Sequence, residues 1–249
     1  NYLHDSHIRY ALRMNAHCIC EKPLTLRPWN IDGLSSVSQS TDKKVFTILQ
    51  LRLHERVIAL KKEVEDQLKS DPTHIFDVEL TYITSRGNWY YASWKGDEEK
   101  SGGIATNIGV HFFDMLHWIF GPVQHQKVHV RSHDRASGVL SFKNANVRWF
   151  LSINAATLPE AVVQNGGRIH RSLRFDQWSF DFTEGFTELH SRSYAHILND
   201  EGFSERDAQA AIGMVHGMRE SQISPLDSMA HPLASLPQDP HPFHPVKES

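Results

Sequence analysis

The sequence predicts two architectures in one chain: an α/β segment, then an α+β domain built on a large, mostly antiparallel sheet. Three observations carry this. About the first 50 residues alternate helix-like and strand-like stretches, the rhythm of a parallel sheet with crossover helices. After Pro122, short stretches alternate apolar and polar residues, as antiparallel strands covered on one face do. Apolar residues make up 40% of the 249, enough for a chain of this length to bury a sizeable core.

Taken in order, Asp5–Asn15 carries Ile8, Ala11 and Leu12 at helical spacing, with Asp5 or Ser6 able to cap it. His17–Cys20 is a short apolar run bounded by Glu-Lys-Pro, read as a buried strand. Pro28 opens a helix through about Ser40, since proline is tolerated in a first helical turn. Lys44–Leu49 is a second buried strand, Arg56–Lys69 a charged amphipathic helix, and Ile75–Ser85 a half-exposed strand. Gly102–Phe120 is helical. Strands are expected over Lys127–Ser132, Ser137–Phe142, Val147–Ala155, Ser172–Phe175 and Trp178–Phe182, and helices over Glu188–Leu198 and Ser204–Glu220. From Ser224 the chain is rich in Pro, Ser and His and reads as an irregular tail. The expected divisions are 1–52, 53–223 and the tail 224–249.

Composition excludes several classes. A net charge of −3 leaves no basic field for a nucleic-acid backbone. No run of 18 apolar residues exists to span a membrane, and no secretory signal opens the chain. Cys18 and Cys20 would share one face of a strand, a spacing poor for a disulfide, which fits a reducing cytoplasm.

Three constellations could carry chemistry. Glu21-Lys22-Pro23 follows the strand ending at Cys20, and ligands of open parallel sheets sit beyond the carboxyl ends of strands. A lysine there can donate to a substrate hydroxyl or move its proton once its pKa is lowered. The plainer reading is a charged turn. In the second, Gly102-Gly103 precede a helix on which Asn107, His111 and Asp114 form one stripe beside an apolar stripe. His111 can act as acid or base, and Asn107 or Asp114 can orient it or a sugar hydroxyl; a solvated helix face explains the stripe more simply. The third is the loop Tyr82–Lys100, which gathers Arg86, Trp89, Tyr90, Tyr91, Trp94 and Lys95. Rings beside cations suit a sugar nucleotide, while docking of those rings on the core, or a protein interface, is the alternative. No metal is expected: His111 and His117 lie six apart on a helix, His231, His241 and His244 sit among prolines, and there is no HExxH or paired CxxC.

Together these motifs resemble the glucose–fructose oxidoreductase and inositol dehydrogenase (Gfo/Idh/MocA) family, known by an EKP tripeptide and a later GG-x-x-x-D-x-G-x-H-x-x-D motif. Here they read Glu21-Lys22-Pro23 and Gly102 to Asp114, with Asn107 at the family's usual Asp position. The likeness runs to about Glu220. ICEKPL, ILQLRLH, LTYITSRGNWY, SWKGD and ATNIGVHFFDMLHWIFG are similar to a sugar-nucleotide branch, the UDP-N-acetyl-2-amino-2-deoxyglucuronate dehydrogenases, which also carry Asn at that position.

The resemblance implies NAD-dependent oxidation of the 3-hydroxyl of UDP-N-acetylglucosaminuronate. The 3-keto product is then aminated by a PLP aminotransferase, a pathway partner, on the way to bacterial surface polysaccharide such as O antigen in lipopolysaccharide. It implies that 1–52 is the C-terminal half of a dinucleotide-binding Rossmann domain, that 53–223 is the substrate and oligomerisation domain, and that homo-oligomers form through the C-terminal sheet. Lys22 and His111 are then catalytic; Asn1, His4, Glu21, Lys22 and Pro23 approach the cofactor; Arg86, Lys95, Asn107, His111 and Asp114 hold the substrate. No GxGxxG occurs in the sequence. The expectation is therefore a chain without the family's pyrophosphate cradle, truncated and impaired, whose NAD binding is weak. Two alternatives stay open: an oxidoreductase of the same family acting on another sugar or cyclitol, and a non-catalytic binding or assembly module.

Overall fold

A computed structural model describes residues 1–176, 178–181 and 188–243. The first part winds α1 (His4–Arg13), β1 (Cys18–Cys20), α2 (Pro28–Thr41) and β2 (Val45–Thr47), and β1 pairs with β2 in parallel. Periodicity explains α1: Ile8 and Leu12 share the buried face, while Asp5 and Arg9 bond one turn apart on the other. Both cysteines of β1 are free thiols.

A single 3₁₀ turn, Gln50–Leu53, leads to α3 (Glu55–Ser70), which buries Val57, Leu60 and Val64. The nine-residue β3 (Phe76–Thr84) follows, then two short helices, α4 (Trp89–Ala92) and α5 (Glu98–Ser101). A π-helical turn over Ala105–Gly109 runs into α6 (Val110–Phe120). The remaining elements are β4 (Val123–Arg131), β5 (Arg135–Phe142), β6 (Ala145–Ser152), α7 (Glu160–Gln164), β7 (Ile169–Phe175), β8 (Trp178–Asp181), α8 (Leu189–Leu198) and α9 (Gln209–Glu220).

The large sheet has the order β4-β5-β6-β3-β7-β8. All its pairs are antiparallel except β3 with β6. One face packs on α6: Tyr82 meets Phe112 at 4.8 Å, Phe113 meets Trp149 at 5.2 Å, and Phe76, Phe120, Phe142 and Phe175 form a contiguous aromatic cluster. Burying so much ring surface is the main force holding sheet to helix.

Two sequence expectations are corrected. Ile75–Ser85 is not half-exposed; Asp77 is the one exposed residue of β3, because the strand is central and both faces are covered. Gly102–Phe120 is not one helix. Gly102, at φ +83°, closes α5 in the left-handed region, and the π turn intervenes before α6. The irregular stretch after Ser224 packs against the second face of the sheet over residues 224–237. Ser224 donates to Val128 O at 2.8 Å, His231 lies buried between Thr81 and Phe150, and Arg135 donates to Pro237 O at 2.9 Å. Apolar residues scattered between prolines pack as a strap without any helical or strand period. His244 and Phe182, assigned above to tail and strand, lie outside the described residues.

Candidate functional site

The carboxyl ends of β1 and β2 face the inner side of the large sheet across a cleft of about 180 Å³. Lys22 comes from the turn after β1, and Gln50 and Leu51 from the turn after β2. Tyr82 and Arg171 come from paired positions on β3 and β7, and Arg86, Tyr90 and Lys95 from the aromatic loop. Asn107, Ile108, His111 and Phe112 close it from the π turn and α6. Thus the sequence-selected Lys22, Arg86, Lys95, Asn107 and His111 converge, although Lys22 and Asn107 are 85 residues apart.

The geometry around Lys22 is specific. Its Nζ donates to the main-chain oxygen of Asn107 at 2.9 Å. The Asn107 side chain is held at both ends: Nδ2 donates to Tyr90 Oη at 2.6 Å, and Oδ1 accepts from Asn1 Nδ2 at 3.1 Å. Burial pushes the Lys22 ammonium down to about 8, against the pull of Glu21, and Lys95 and Arg86 lower it further. Burial also takes His111 well below its ordinary value, reinforced by Lys22, so its imidazole is neutral. His111 Nδ1 and Gln50 Oε1 are buried and have no hydrogen-bond partner among the described residues. Lys95 lies over Trp89 and Trp94, 5.2 and 5.7 Å from the ring centroids.

The cleft is lined by four cationic side chains, Lys22, Arg86, Lys95 and Arg171, and by no carboxylate among the described residues. Such a wall selects an anion. It also places an amine of lowered basicity beside a neutral imidazole, the pairing that proton transfer from a hydroxyl needs.

Other selected residues are not on this wall. Asp114 is 2% exposed and its carboxylate is taken bidentately by Arg52, at 2.7 and 3.0 Å. Residue 107 lies in the π turn and so loses the α-helical phase it would share with His111 and Asp114, and within α6 the three-residue step from His111 carries Asp114 to Arg52. His4 Nδ1 donates to Pro23 O at 2.8 Å, which braces the turn bearing Lys22 from behind. Pro23 is buried, and Glu21 is exposed and paired with His190 at 2.9 Å. Asn1, besides holding Asn107, donates to Ser101 O at 2.8 Å and borders a separate hollow of about 230 Å³ with Tyr2, Thr25 and Trp29.

Sequence reasoning missed Arg171, Gln50 and the role of Tyr90. Arg171 had a signal: it stands in phase with Leu173 and Phe175, the inward-facing residues of β7, so a cation there points where apolar groups point. Gln50 had the same signal as Lys22, a polar residue just past a buried strand.

The family profile described as "Oxidoreductase family, C-terminal alpha/beta domain" matches residues 72–170. An uncharacterized oxidoreductase of Synechocystis is 30% identical over 128 residues, which are 49% of this chain and 33% of that protein. The chain thus spans about a third of that curated relative's length. Among solved structures, the WlbA (WbpB) dehydrogenase of Thermus thermophilus in complex with NAD and α-ketoglutarate is 43% identical. The superposition has a TM-score of 0.88 and covers 94% of this chain and 74% of that one. The same enzyme with NAD and UDP-GlcNAcA matches at 42% identity over the same shares, also at 0.88. WlbA of Bordetella pertussis, at 18% identity and 0.68 over 90% of this chain and 76% of that one, shares the fold. The fold is that of a family of oxidoreductases. The chain belongs to the Gfo/Idh/MocA family of oxidoreductases.

Proposed function

We propose that this chain handles the sugar in NAD-dependent oxidation of the 3-hydroxyl of a UDP-N-acetylglucosaminuronate-type substrate. The observation that carries the reading is the cleft wall itself, with four cations and no carboxylate among the described residues, and Lys22 tuned to about 8. A neutral cyclitol has no use for that wall; a uronate bearing a diphosphate does. Lys22 hydrogen-bonds the reacting hydroxyl, and neutral His111 takes its proton, directly or through Lys22. Arg86, Lys95 and Arg171 meet the carboxylate or diphosphate. Asn107 holds Lys22 and borders the sugar. Asp114 acts from behind, by fixing Arg52 against α6.

The residues present suit the nicotinamide end of NAD. Gln50 Oε1 is a buried acceptor without a partner among the described residues, fit for a carboxamide N–H, at the carboxyl end of β2 where dinucleotides lie. Glu21, Pro23 and His4 form and brace the adjoining turn, and Asn1 holds Asn107 beside it. Bound NAD supplies the hydride acceptor. In this reading 1–52 is Rossmann-type, 53–223 is the substrate and assembly domain, and 224–249 is the irregular tail, of which 224–237 packs on the sheet.

The test compares UDP-N-acetylglucosaminuronate with UDP-N-acetylglucosamine, following NAD reduction and, by calorimetry, binding. A buried charge-assisted bond contributes roughly 1.5–3 kcal/mol, so the uronate should be favoured about tenfold or more. Equal affinities and equal rates would mean that the carboxylate is not read and would reject the assignment.

A further inference from the structure

We infer that Tyr90 is a positioning residue for Lys22, acting through Asn107. The inference rests on the reading of Lys22 as the group that handles the substrate hydroxyl.

The chain of contacts is short and leaves Asn107 little freedom. Tyr90 is 2% exposed, on the four-residue α4, with the rings of Trp89 and Tyr91 edge-on at 5.9 and 6.0 Å. Its Oη accepts from Asn107 Nδ2 at 2.6 Å, the shortest bond in the site. Asn107 stands at the middle of the π turn, a geometry that costs backbone regularity and concentrates at functional sites. The turn is fixed on its other side by packing: a Cβ on Gly109 would fall 2.5 Å from Leu151 Cδ1 and 2.8 Å from Phe113 Cε2, so the backbone approaches β6 as closely as glycine permits. With the side-chain amide tied to Tyr90 and Asn1, the Asn107 carbonyl points at Lys22 Nζ and fixes where the ammonium sits.

The side-chain type matters as well as the position. An amide at 107 needs an acceptor for its N–H, and Tyr90 Oη supplies it. Burial raises the Tyr90 pKa, so the phenol stays neutral and adds no charge beside Lys22. A carboxylate at 107 would instead place a negative charge near the ammonium and hold it protonated. Asn107 paired with Tyr90 therefore orients Lys22 without making it more basic than a carbonyl contact does.

Competitive acetylation of the whole chain across the neutral to alkaline range, with peptide mass spectrometry, reads the titration of Lys22 and needs no turnover. In the parent, Lys22 should titrate well below the surface lysines. Tyr90→Phe should lower its midpoint by roughly half a pH unit, because the bond that favours the charged form is loosened, with the other lysines unmoved. In an Asn107→Ala background the same substitution should do nothing further. A folded Tyr90→Phe chain with an unchanged Lys22 midpoint overturns the inference and leaves the functional reading standing. A parent Lys22 that titrates with the surface lysines overturns both. Should Tyr90→Phe fail to fold, Asn107→Asp decides: the midpoint should rise, and an unmoved midpoint rejects the coupling.

Discussion

Lys22 carries a cost that its neighbours reveal. An ammonium held down by burial and by Lys95 and Arg86 disfavours the folded state while it is charged. Between about pH 8 and the ordinary 10.5, the unfolded chain binds more protons than the native one, so stability contributed here rises with pH over that window. Below about 8 the penalty is present in full. Replacing Lys22 by Met should therefore raise the melting temperature at neutral pH while lowering turnover on the order of 10²–10⁴-fold. Calorimetry and steady-state kinetics on one preparation check both; a variant less stable and equally active would remove Lys22 from the mechanism. For the parent, activity that needs the neutral amine should climb with pH through about 8. Lys22 was legible because a lysine after a buried strand is unusual in kind. Arg171 was not, because the strand was drawn one residue short of it.

At the scale of elements, helices and strands with clear periods were legible to within a few residues: Pro28 marks the start of α2, and Val57, Leu60 and Val64 mark α3. What periodicity cannot register is a change of helical type within one apolar stretch. The π turn at Ala105–Gly109 sets the phase of Asn107 against α6, on which His111 faces the cleft and Asp114, three residues on, faces Arg52. Nor does alternation tell a parallel pair from an antiparallel one, and the β3–β6 pairing was invisible for that reason. The Arg52–Asp114 pair locks the 3₁₀ turn after β2 to α6, and Arg52 also donates to Asp207 O at 3.0 Å. Asp114→Ala should cost about 3 kcal/mol in urea unfolding, because the buried guanidinium loses its bidentate partner and keeps only its longer contacts to Asp207. A loss below 1 kcal/mol would mean that water reaches Arg52. Gly102→Ala should also destabilise: its φ is +83° and a Cβ would fall 2.6 Å from Thr106 Cγ2, so the turn before the π segment would have to move.

For the molecule as a whole, the strap from Ser224 onward converts a sheet with one covered face into one covered at its centre on both. Its anchor is His231, 3% exposed, with Nε2 2.9 Å from Thr81 Oγ1 and its ring stacked on Phe150 at 5.5 Å. Burial pushes this imidazole down to about 3, and the Arg148 charge on the neighbouring strand adds to the effect. The sign follows from proton counts. Between an ordinary 6.5 and about 3, the undocked imidazole binds a proton that the docked one refuses, so the stability it lends is complete above 6.5 and is lost as pH falls. Each pH unit in that window corresponds to about 1.4 kcal/mol for a fully buried group. The strap should therefore release on mild acidification before the sheet unfolds. Hydrogen exchange read peptide by peptide should show residues 224–237 losing protection between about pH 6 and 4, while β5 and β6 keep theirs. His231→Leu, which keeps an apolar group against Phe150 and cannot take a proton, should flatten that pH dependence. If parent and variant lose protection in parallel, the acid response belongs to other groups and His231 is only packed there.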